Sequence, residues 1–174
     1  MKRSLKKVTF ILLIIALGVL SIVRISNVNS KQHVDEVHTY EIGETFEYND
    51  FRIKVATVNF YSADDMKNMY AEIPEEMLPE TELVIKIEVK NVTDKESVFD
   101  VAPLTLQEGL ESGGSIDPYV YPYLNPELGG SVVLEKEEKK TVMLAFPIET
   151  TAIEAKGEIK LILSLYPKKY EVKL

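Results

Sequence analysis

The sequence contains no cysteine, no tryptophan and only two histidines. Without cysteine the chain cannot form disulfides, thiolate metal sites, cysteine nucleophiles or the lipid attachment of bacterial lipoproteins. His33 and His38 stand in or beside a polar segment without a rigid scaffold, so we predict that they are solvated and hold no metal. The chain has no other histidine that could act inside the predicted domain as the base of a Ser-His-Asp or Cys-His arrangement.

The motifs of common catalytic and nucleotide-binding sites are also missing. The chain has no GxSxG, P-loop, GxGxxG or HExxH sequence. Carboxylates crowd residues 64–80, and paired carboxylates could act on a glycosidic bond or hold calcium. EF-hand spacing is absent, and a run of acidic residues usually forms a solvated face. We therefore predict no enzyme activity, no catalytic residues, no cofactor and no metal; a cell-envelope hydrolase that uses surface carboxylates is the alternative.

Negative charge dominates the chain beyond Arg24. The whole chain holds 20 cations and 28 acids, and five of the cations but none of the acids lie at positions 1–24. The body from position 25 to 174 therefore has a net charge of −13. Phosphate backbones and anionic lipid surfaces should repel a body of this charge. We therefore predict that the protein does not bind nucleic acid.

Residues 1–25 have the pattern of an export signal. The basic stretch MKRSLKK precedes an uncharged apolar run from Val8 to Val23. As a helix this run spans ~24 Å, less than the ~30 Å core of a bilayer, although flanking cations can reach the interface. Small residues at the spacing of a cleavage site are poorly placed. We predict a signal anchor over 1–25, a tether over 26–37 and a domain over 38–174 outside the cell membrane, held by a single span; a cleaved signal peptide and a secreted domain are the alternative.

Alternation of apolar and polar residues is clearest at 81–92. This pattern predicts one buried and one solvent-exposed face, as in an antiparallel sheet. The predicted buried set is Leu83, Ile85, Ile87 and Val89. Residues 157–166 repeat the alternation, and residues 140–147 are apolar on both faces, which is typical of a central strand.

The apolar phase changes inside residues 51–61. This change predicts a β-bulge near Ala56 and Thr57. Turn residues separate several further short strands, which we place around Gly43, at 97–101, 104–107 and 131–134, and at the C-terminus. Eight or so short strands of this kind predict a β-sandwich.

Two segments depart from the strand pattern. Residues 62–73 have Ser62 as a helix N-cap, two acids in the first turn and apolar residues at helical spacing, so we predict one short inserted helix. Residues 109–130 are rich in glycine and proline and predict a long loop with an irregular edge strand at 119–123. Three tyrosines would share one face of that strand, where they could bind a partner or seal the sandwich edge. The candidate partner-binding residues of both segments are Tyr119, Tyr121, Tyr123, Met66, Met69 and Tyr70; for the last three we favour the core face of the helix over a ligand groove.

Three stretches of the chain resemble a known family. They are IGETFEYNDFRIKVATVNF, ETELVIKIEVKNVTDKE and LEKEEKKTVMLAFPI. The family comprises small secreted immunoglobulin-like domains of unknown function from Gram-positive bacteria, related to the mycobacterial immunoprotective extracellular antigen. Its motifs match Gly43-Glu44, Lys90-Asn91 and the residues from Val142 to Pro147. The family's usual P-G-E turn and lipoprotein cysteine are replaced here. The resemblance implies fold and compartment, and it implies no activity.

These observations predict an all-β protein, an immunoglobulin-like antiparallel β-sandwich with one short inserted helix, preceded by an N-terminal membrane-targeting helix. We expect a non-catalytic binding or accessory module that engages a protein or cell-envelope ligand through the inserted helix and the tyrosine segment. An immunity-type protein or a structural spacer is a further alternative.

Overall fold

The structure is a computed structural model that describes residues 18–24, 36–109, 111–148 and 158–174. The chain forms two units, Met1–Asp35 and Glu36–Leu174. In the first unit residues 18–24 are helical. The remainder of the predicted anchor and of the tether up to residue 35, with His33, lies outside the described residues. Among the helices in the described ranges, none combines the length and the apolar character that a membrane crossing requires.

The described part of the second unit contains eleven strands, two α-helices and a 3-10 helix. The strands are β1 (Glu36–Glu41), β2 (Thr45–Tyr48), β3 (Phe51–Ser62), β4 (Thr81–Asn91), β5 (Ser97–Asp100), β6 (Thr105–Glu108), β7 (Glu111–Ser115), β8 (Ser131–Leu134), β9 (Lys139–Ile148), β10 (Ile159–Ser164) and β11 (Lys168–Lys173). The helices are α1 (Ala63–Met69), the 3-10 helix (Glu75–Met77) and α2 (Tyr121–Leu124).

Two larger sheets and a two-stranded ribbon form a β-sandwich. One sheet has the order β1-β11-β10-β6-β7 and the other the order β2-β3-β4-β9, while β5 pairs with β8. Apolar side chains from all three sheets meet in one core. Examples are Ile85 from β4, Leu161 from β10 and Leu134 from β8, each at most 1% exposed. The prediction of a β-sandwich is confirmed.

The alternation at residues 81–92 forms β4 as predicted. All four expected side chains of its inner face are buried. The predicted bulge in β3 is also present. Val55 pairs with Ile87, and Thr57, two residues later in β3, pairs with Lys86, which is only one residue away from Ile87 in β4. Ala56 is therefore the extra residue that shifts the phase.

The sheets differ from the predictions in three places. β1 pairs with β11 in parallel, so the sandwich is not wholly antiparallel. β9 buries one face from Val142 to Ile148, whereas Ala145 is the only buried residue of its other face, and the strand lies at an edge of its sheet and not at the centre, which belongs to β3 and β4. β7 forms inside the segment that we predicted to be a loop, where it pairs with β6.

Gly43 explains one of the family motifs in physical terms. It turns the chain between β1 and β2 with a φ of +89°, a conformation that residues with a side chain rarely adopt. Its N–H donates to the Val55 carbonyl at 2.8 Å. The side chain of the following Glu44 accepts from the Glu41 N–H at 2.9 Å. The Gly-Glu pair therefore builds a turn. This structural role explains the motif without a bound ligand.

Candidate functional site

Two segments pack together on the outer face of the sheet β2-β3-β4-β9. We call residues 63–78 and 116–128 the outer layer. The layer and the sheet share a second hydrophobic cluster, separate from the core between the sheets. Its buried members are Met66, Ile73, Val84, Val120, Leu124 and Ala145. The inserted helix and the tyrosine segment, which are far apart in the chain, thus belong to one structural unit.

The helix α1 begins as predicted. Ser62 is its N-cap, with its hydroxyl accepting from the Asp65 N–H at 3.1 Å and the Asp65 carboxylate accepting from the Ser62 N–H at 3.1 Å. This reciprocal arrangement is a capping box. The helix ends at Met69, earlier than we predicted, and a turn carries the chain on to the buried Ile73.

The prediction of an edge strand at 119–123 is wrong, because residues 121–124 form α2. Asp117 starts this turn, with Oδ1 accepting from the N–H groups of Tyr119 at 2.7 Å and Val120 at 3.1 Å. Such a carboxylate favours a helical turn over an extended chain. Asn125 then fixes the end of the helix to β9 through two hydrogen bonds with the backbone of Met143.

The three tyrosines consequently point in different directions. Tyr119 is 61% exposed, whereas Tyr121 is 6% exposed and belongs to the core between the sheets. The Tyr121 hydroxyl donates to the Gly129 carbonyl at 3.1 Å. Tyr123 is partly buried against the outer-layer cluster. Because they do not share a face, only Tyr119 is fully available to a partner.

The three candidates of the inserted segment also differ in exposure. Met66 is 1% exposed and packs against the sheet, so it contributes to the interior and cannot contact a partner. Met69 is 47% exposed. Tyr70 is partly buried against the same cluster as Met66. Helical spacing alone could not decide between these roles, because it shows which residues share a face and not what covers that face.

Two clefts flank the 116–130 segment. The first has a volume of about 360 Å³ and a mainly apolar lining, and three of its lining residues are Pro118, Tyr121 and Pro122. The second has a volume of about 510 Å³ and lies between the 124–128 loop and β9, where Lys139 and Lys140 add charge. Both volumes fall in the range that is typical of ligand sites in proteins.

A buried acidic residue lies at the start of β4, on the outer face of the sheet. Glu82 is 1% exposed, and neither of its carboxyl oxygens has a hydrogen-bond partner in the described part of the chain. Burial and the nearby Asp117 carboxylate raise the pKa of Glu82 to about 8. Asp117 is itself buried. Neither carboxyl lines one of the two clefts.

Sequence reasoning missed Glu82, Asp117 and Asn125. We expected the face of β4 opposite the core to be wet, and this is wrong at Glu82 and Val84, because the outer layer covers them. An apolar Val84 on that face, in the strand that follows the inserted helix, is the signal that could have indicated that another segment covers the face. For Asn125 the only local signal is the Asn-Pro pair, which marks a turn and not an anchor.

Potential metal ligands remain scattered. No three histidine or carboxylate side chains converge within the part of the chain that the structure describes. His38 lies in β1, where its ring stacks on Tyr170 at a centroid distance of 4.6 Å and its Nε2 lies 3.2 Å from the Glu36 carboxylate. This ring therefore packs in the sheet, and the prediction that His38 lies solvated in a segment without a rigid scaffold is wrong.

Residues 37–170 match the family described as a domain of unknown function, DUF5028. The chain belongs to the DUF5028 family. The match includes both segments of the outer layer and all residues of the candidate site. No protein of curated function matches the sequence.

Several solved structures similar to this DUF5028 chain come from Gram-positive bacteria. The yjhA protein from Bacillus subtilis has a TM-score of 0.55 and 16% identity, with 78% of this chain and 99% of that chain covered. An uncharacterized β-sandwich protein from Clostridium difficile 630 has a TM-score of 0.47 and 17% identity, with coverage of 80% and 97%. A conserved hypothetical protein from Bacillus anthracis has a TM-score of 0.49 and 16% identity, with coverage of 70% and 87%. At these identities the likeness to the yjhA protein shows the fold alone. The predicted likeness to uncharacterized β-sandwich proteins of Gram-positive bacteria is confirmed.

Proposed function

We propose that the domain is a non-catalytic binding or accessory module that works outside the cytoplasm, and that it contacts its ligand through the 116–128 segment. One observation carries this proposal: Tyr119 is an exposed aromatic residue on a segment whose backbone is fixed at both ends. Asp117 holds the start of the segment, and Asn125 holds its end against β9.

A fixed loop suits binding, because little conformational entropy is lost when a ligand orders it. Tyrosine suits it as well, since the ring supplies a large contact area and the hydroxyl a polar group. In the chain Tyr119 lies between Pro118 and Tyr121, which line the apolar cleft of about 360 Å³. We propose that a ligand which contacts the Tyr119 ring also places an apolar group in this cleft, although Tyr119 itself does not line it.

The class of ligand follows from charge and exposure. Residues 25–174 have a net charge of −13, which disfavours binding to nucleic acid. A protein or a cell-envelope polymer is the ligand that we propose, because aromatic side chains contact both peptides and sugar rings.

Site-specific photo-crosslinking on intact cells tests the contact surface. A photoreactive phenylalanine analogue would replace Tyr119 in the full-length chain. The matched control position is Tyr166, which is 64% exposed and lies between β10 and β11, outside the outer layer. We expect a discrete crosslinked species from position 119 that is missing from position 166. Equal crosslinking at both positions, or at neither, would contradict the proposed surface.

The absence of cysteine makes the compartment testable. A single Thr57→Cys change on the exposed outer face of β3 provides one thiol for a membrane-impermeant maleimide. We expect this thiol to react on intact cells, while a Ser4→Cys thiol in the basic N-terminal stretch reacts only after permeabilisation. Thr57→Cys labelling that needs permeabilisation would reject the extracytoplasmic placement. Loss of the Ser4→Cys signal from the mature chain would replace the single-span anchor by a cleaved signal and a secreted domain.

The finer family relationship also belongs to this proposal. The immunoglobulin-like assignment and the relation to the mycobacterial antigen rest on the sequence motifs, of which Gly43-Glu44 and Lys90-Asn91 have structural roles here. They remain predictions.

A cell-envelope hydrolase is the second candidate, and one observation favours it. Glu82 and Asp117 are two neighbouring carboxyls, and the raised pKa of Glu82 is a property of general acids. Both groups are buried, however, so a substrate could reach them only after the outer layer had moved. The test is release of reducing ends from isolated cell-wall material by the full-length chain. Activity that is lost in both Glu82→Gln and Asp117→Asn variants would support a hydrolase, and no release by the wild type would remove it.

A further inference from the structure

Glu82 stands out among the buried polar groups of the described residues. The other strongly buried carboxylate with a large pKa shift, Glu171, is paired with Lys160 and Lys169. Glu82 has no cation within ion-pair distance and no hydrogen-bond donor in the described part of the chain. An ionised carboxylate in such a place is very costly, whereas a protonated carboxyl costs much less.

The surroundings of Glu82 explain why no cation reaches it. Its cross-strand neighbours on the outer face are Tyr61 of β3 and Pro147 of β9, and neither carries a cation. The 116–128 segment brings only another acid, Asp117. On the other segment of the layer, the Lys67 ammonium of α1 donates to the Ile73 carbonyl at 3.3 Å. The outer-layer members of the hydrophobic cluster are apolar or aromatic, and Asn125, which is bonded to β9, carries no charge.

Besides the hydrogen bonds between Asn125 and Met143, the outer layer contacts the outer face of the sheet through a small apolar cluster. Its buried members from the sheet are only Val84 and Ala145, whereas the core between the sheets has more than twenty buried residues. Because Glu82 lies two residues before Val84 on the same face of β4, a charge there would form beneath the layer. Moving the layer away would let water solvate that charge.

We propose that Glu82 makes the packing of the outer layer depend on protonation: the layer is closed over the sheet while this carboxyl carries its proton, and it opens more readily once the proton is lost. The proposal holds whatever ligand the domain binds. It would also make the position of Tyr119, which lies in the layer, sensitive to pH.

The sign follows from linkage. In the open state a solvated Glu82 has its ordinary pKa near 4.5, whereas in the closed state its pKa is about 8. Between these two values the open state binds fewer protons, so the opening equilibrium rises by up to about tenfold per pH unit and becomes level above pH 8. With respect to Glu82, the packing of the layer is thus tightest below about pH 4.5.

Hydrogen exchange in the full-length chain, kept in mild detergent, tests the proposal. Reporter amides in the layer are those of Tyr70 and Asn125, which are bonded to Met66 and Tyr121. Dividing the wild-type rate by the Glu82→Gln rate at each pH cancels the intrinsic pH dependence of exchange. We expect this ratio to rise by about tenfold per pH unit between pH 5.5 and 7.5 and to level off near pH 8.

Three controls make the outcome specific. Glu88→Gln removes an ion-paired carboxylate from the same face of β4 and should behave as the wild type. Amides of β10 and β11 should show no such change in ratio. Asp117→Asn keeps an oxygen for the turn but removes the charge near Glu82, so the levelling should move to lower pH.

A ratio of exchange rates that stays constant with pH in the layer would overturn the proposal, because it would show that opening is not coupled to Glu82. An equal rise of the ratio in β10 and β11 would also overturn it, because it would show global unfolding. An unmoved levelling in Asp117→Asn would contradict the proposed pair. If Glu82→Gln fails to fold, a ¹³C titration of the wild-type Glu82 carboxyl replaces it. Titration near pH 4.5 instead of near 8 would then reject the proposal.

Discussion

Asn125 and Met143 are joined in the way that two residues of neighbouring strands are joined. The Asn125 side-chain Nδ2 donates to the Met143 carbonyl at 2.7 Å, and the Met143 N–H donates to Asn125 Oδ1 at 2.9 Å. A side-chain amide thus takes the place of a strand backbone beside β9 and holds the 116–128 segment on the sheet. Whatever Tyr119 binds, its position depends on this pair.

We expect Asn125→Ala to destabilise the fold and to loosen the tyrosine segment. The change leaves a backbone N–H and a carbonyl of Met143 without their partners, and an unpaired buried group costs about 1–3 kcal/mol. Urea unfolding of the full-length chain measures the loss. Asn59→Ala, on an exposed position of β3, is the matched control and should change stability by less than about 0.5 kcal/mol. A similar effect of both changes would show that the Asn125–Met143 pair is not an anchor.

Substitutions of Tyr121 and Tyr119 should differ in their effect on stability, because Tyr121 is a core residue and Tyr119 is a surface residue. Tyr121→Ala should cost about 3–5 kcal/mol, as large-to-small changes of core aromatics do, because Tyr121 belongs to the core. Tyr121→Phe removes only the hydrogen bond to Gly129, worth about 0.5–1.5 kcal/mol. Tyr119→Ala should lie within about 0.5 kcal/mol of the wild type. Thermal unfolding of the three variants measures these changes in stability. A destabilised Tyr119→Ala variant would mean that Tyr119 packs inside the protein.

Glu171 should determine part of the acid stability. Although burial raises its pKa, hydrogen bonds from Lys169, Lys160 and Thr39 outweigh burial and hold the pKa at about 2. Since the unfolded chain titrates near pH 4.5, this group contributes stability above that pH, and the contribution is lost as pH falls toward 2. At neutral pH we expect Glu171→Gln to cost on the order of 2–3 kcal/mol.

The pH profile distinguishes this effect from simple loss of packing. The wild type and Glu171→Gln should differ in unfolding free energy at pH 7 and converge near pH 2. Glu36→Gln, which removes an exposed partner of Lys168, should change little at either pH. A constant difference between wild type and Glu171→Gln over the whole range would rule out the linkage.

Asn91 should tolerate neither alanine nor aspartate. Its buried Nδ2 donates to the carbonyls of Lys95, Leu134 and Glu135, and its Oδ1 accepts from the Thr93 N–H. In Asn91→Asp a carboxylate would face three carbonyl oxygens with no proton to donate, so we expect a loss of more than about 2 kcal/mol. Asn59→Asp serves as the exposed control in chemical denaturation. An Asn91→Asp chain as stable as wild type would show that these three contacts contribute little.

The local features of the strands were predictable, and so was the start of the inserted helix. The alternation in β4, the bulge at Ala56 and the capping box of Ser62 each depend on residues that are close in sequence. The candidate site was predictable only in part. Both segments of the outer layer were recognised as departures from the strand pattern, and the core-facing role of Met66 was expected, but the orientation of Tyr121 was not, because it depends on contacts with distant strands.

The sequence by itself determined that the fold rests on a hydrophobic core without disulfides, that residues 83–89 of β4 have one apolar face, and that two segments stand apart from the sheets. Only the tertiary structure decided that these two segments cover the other face of β4 and bury Glu82 beside Asp117. The physical reason is that alternation along a strand is set by neighbouring residues, whereas burial of a face depends on which remote segment packs against it. A glutamate in a polar position of the pattern therefore became a buried acid with a pKa near 8.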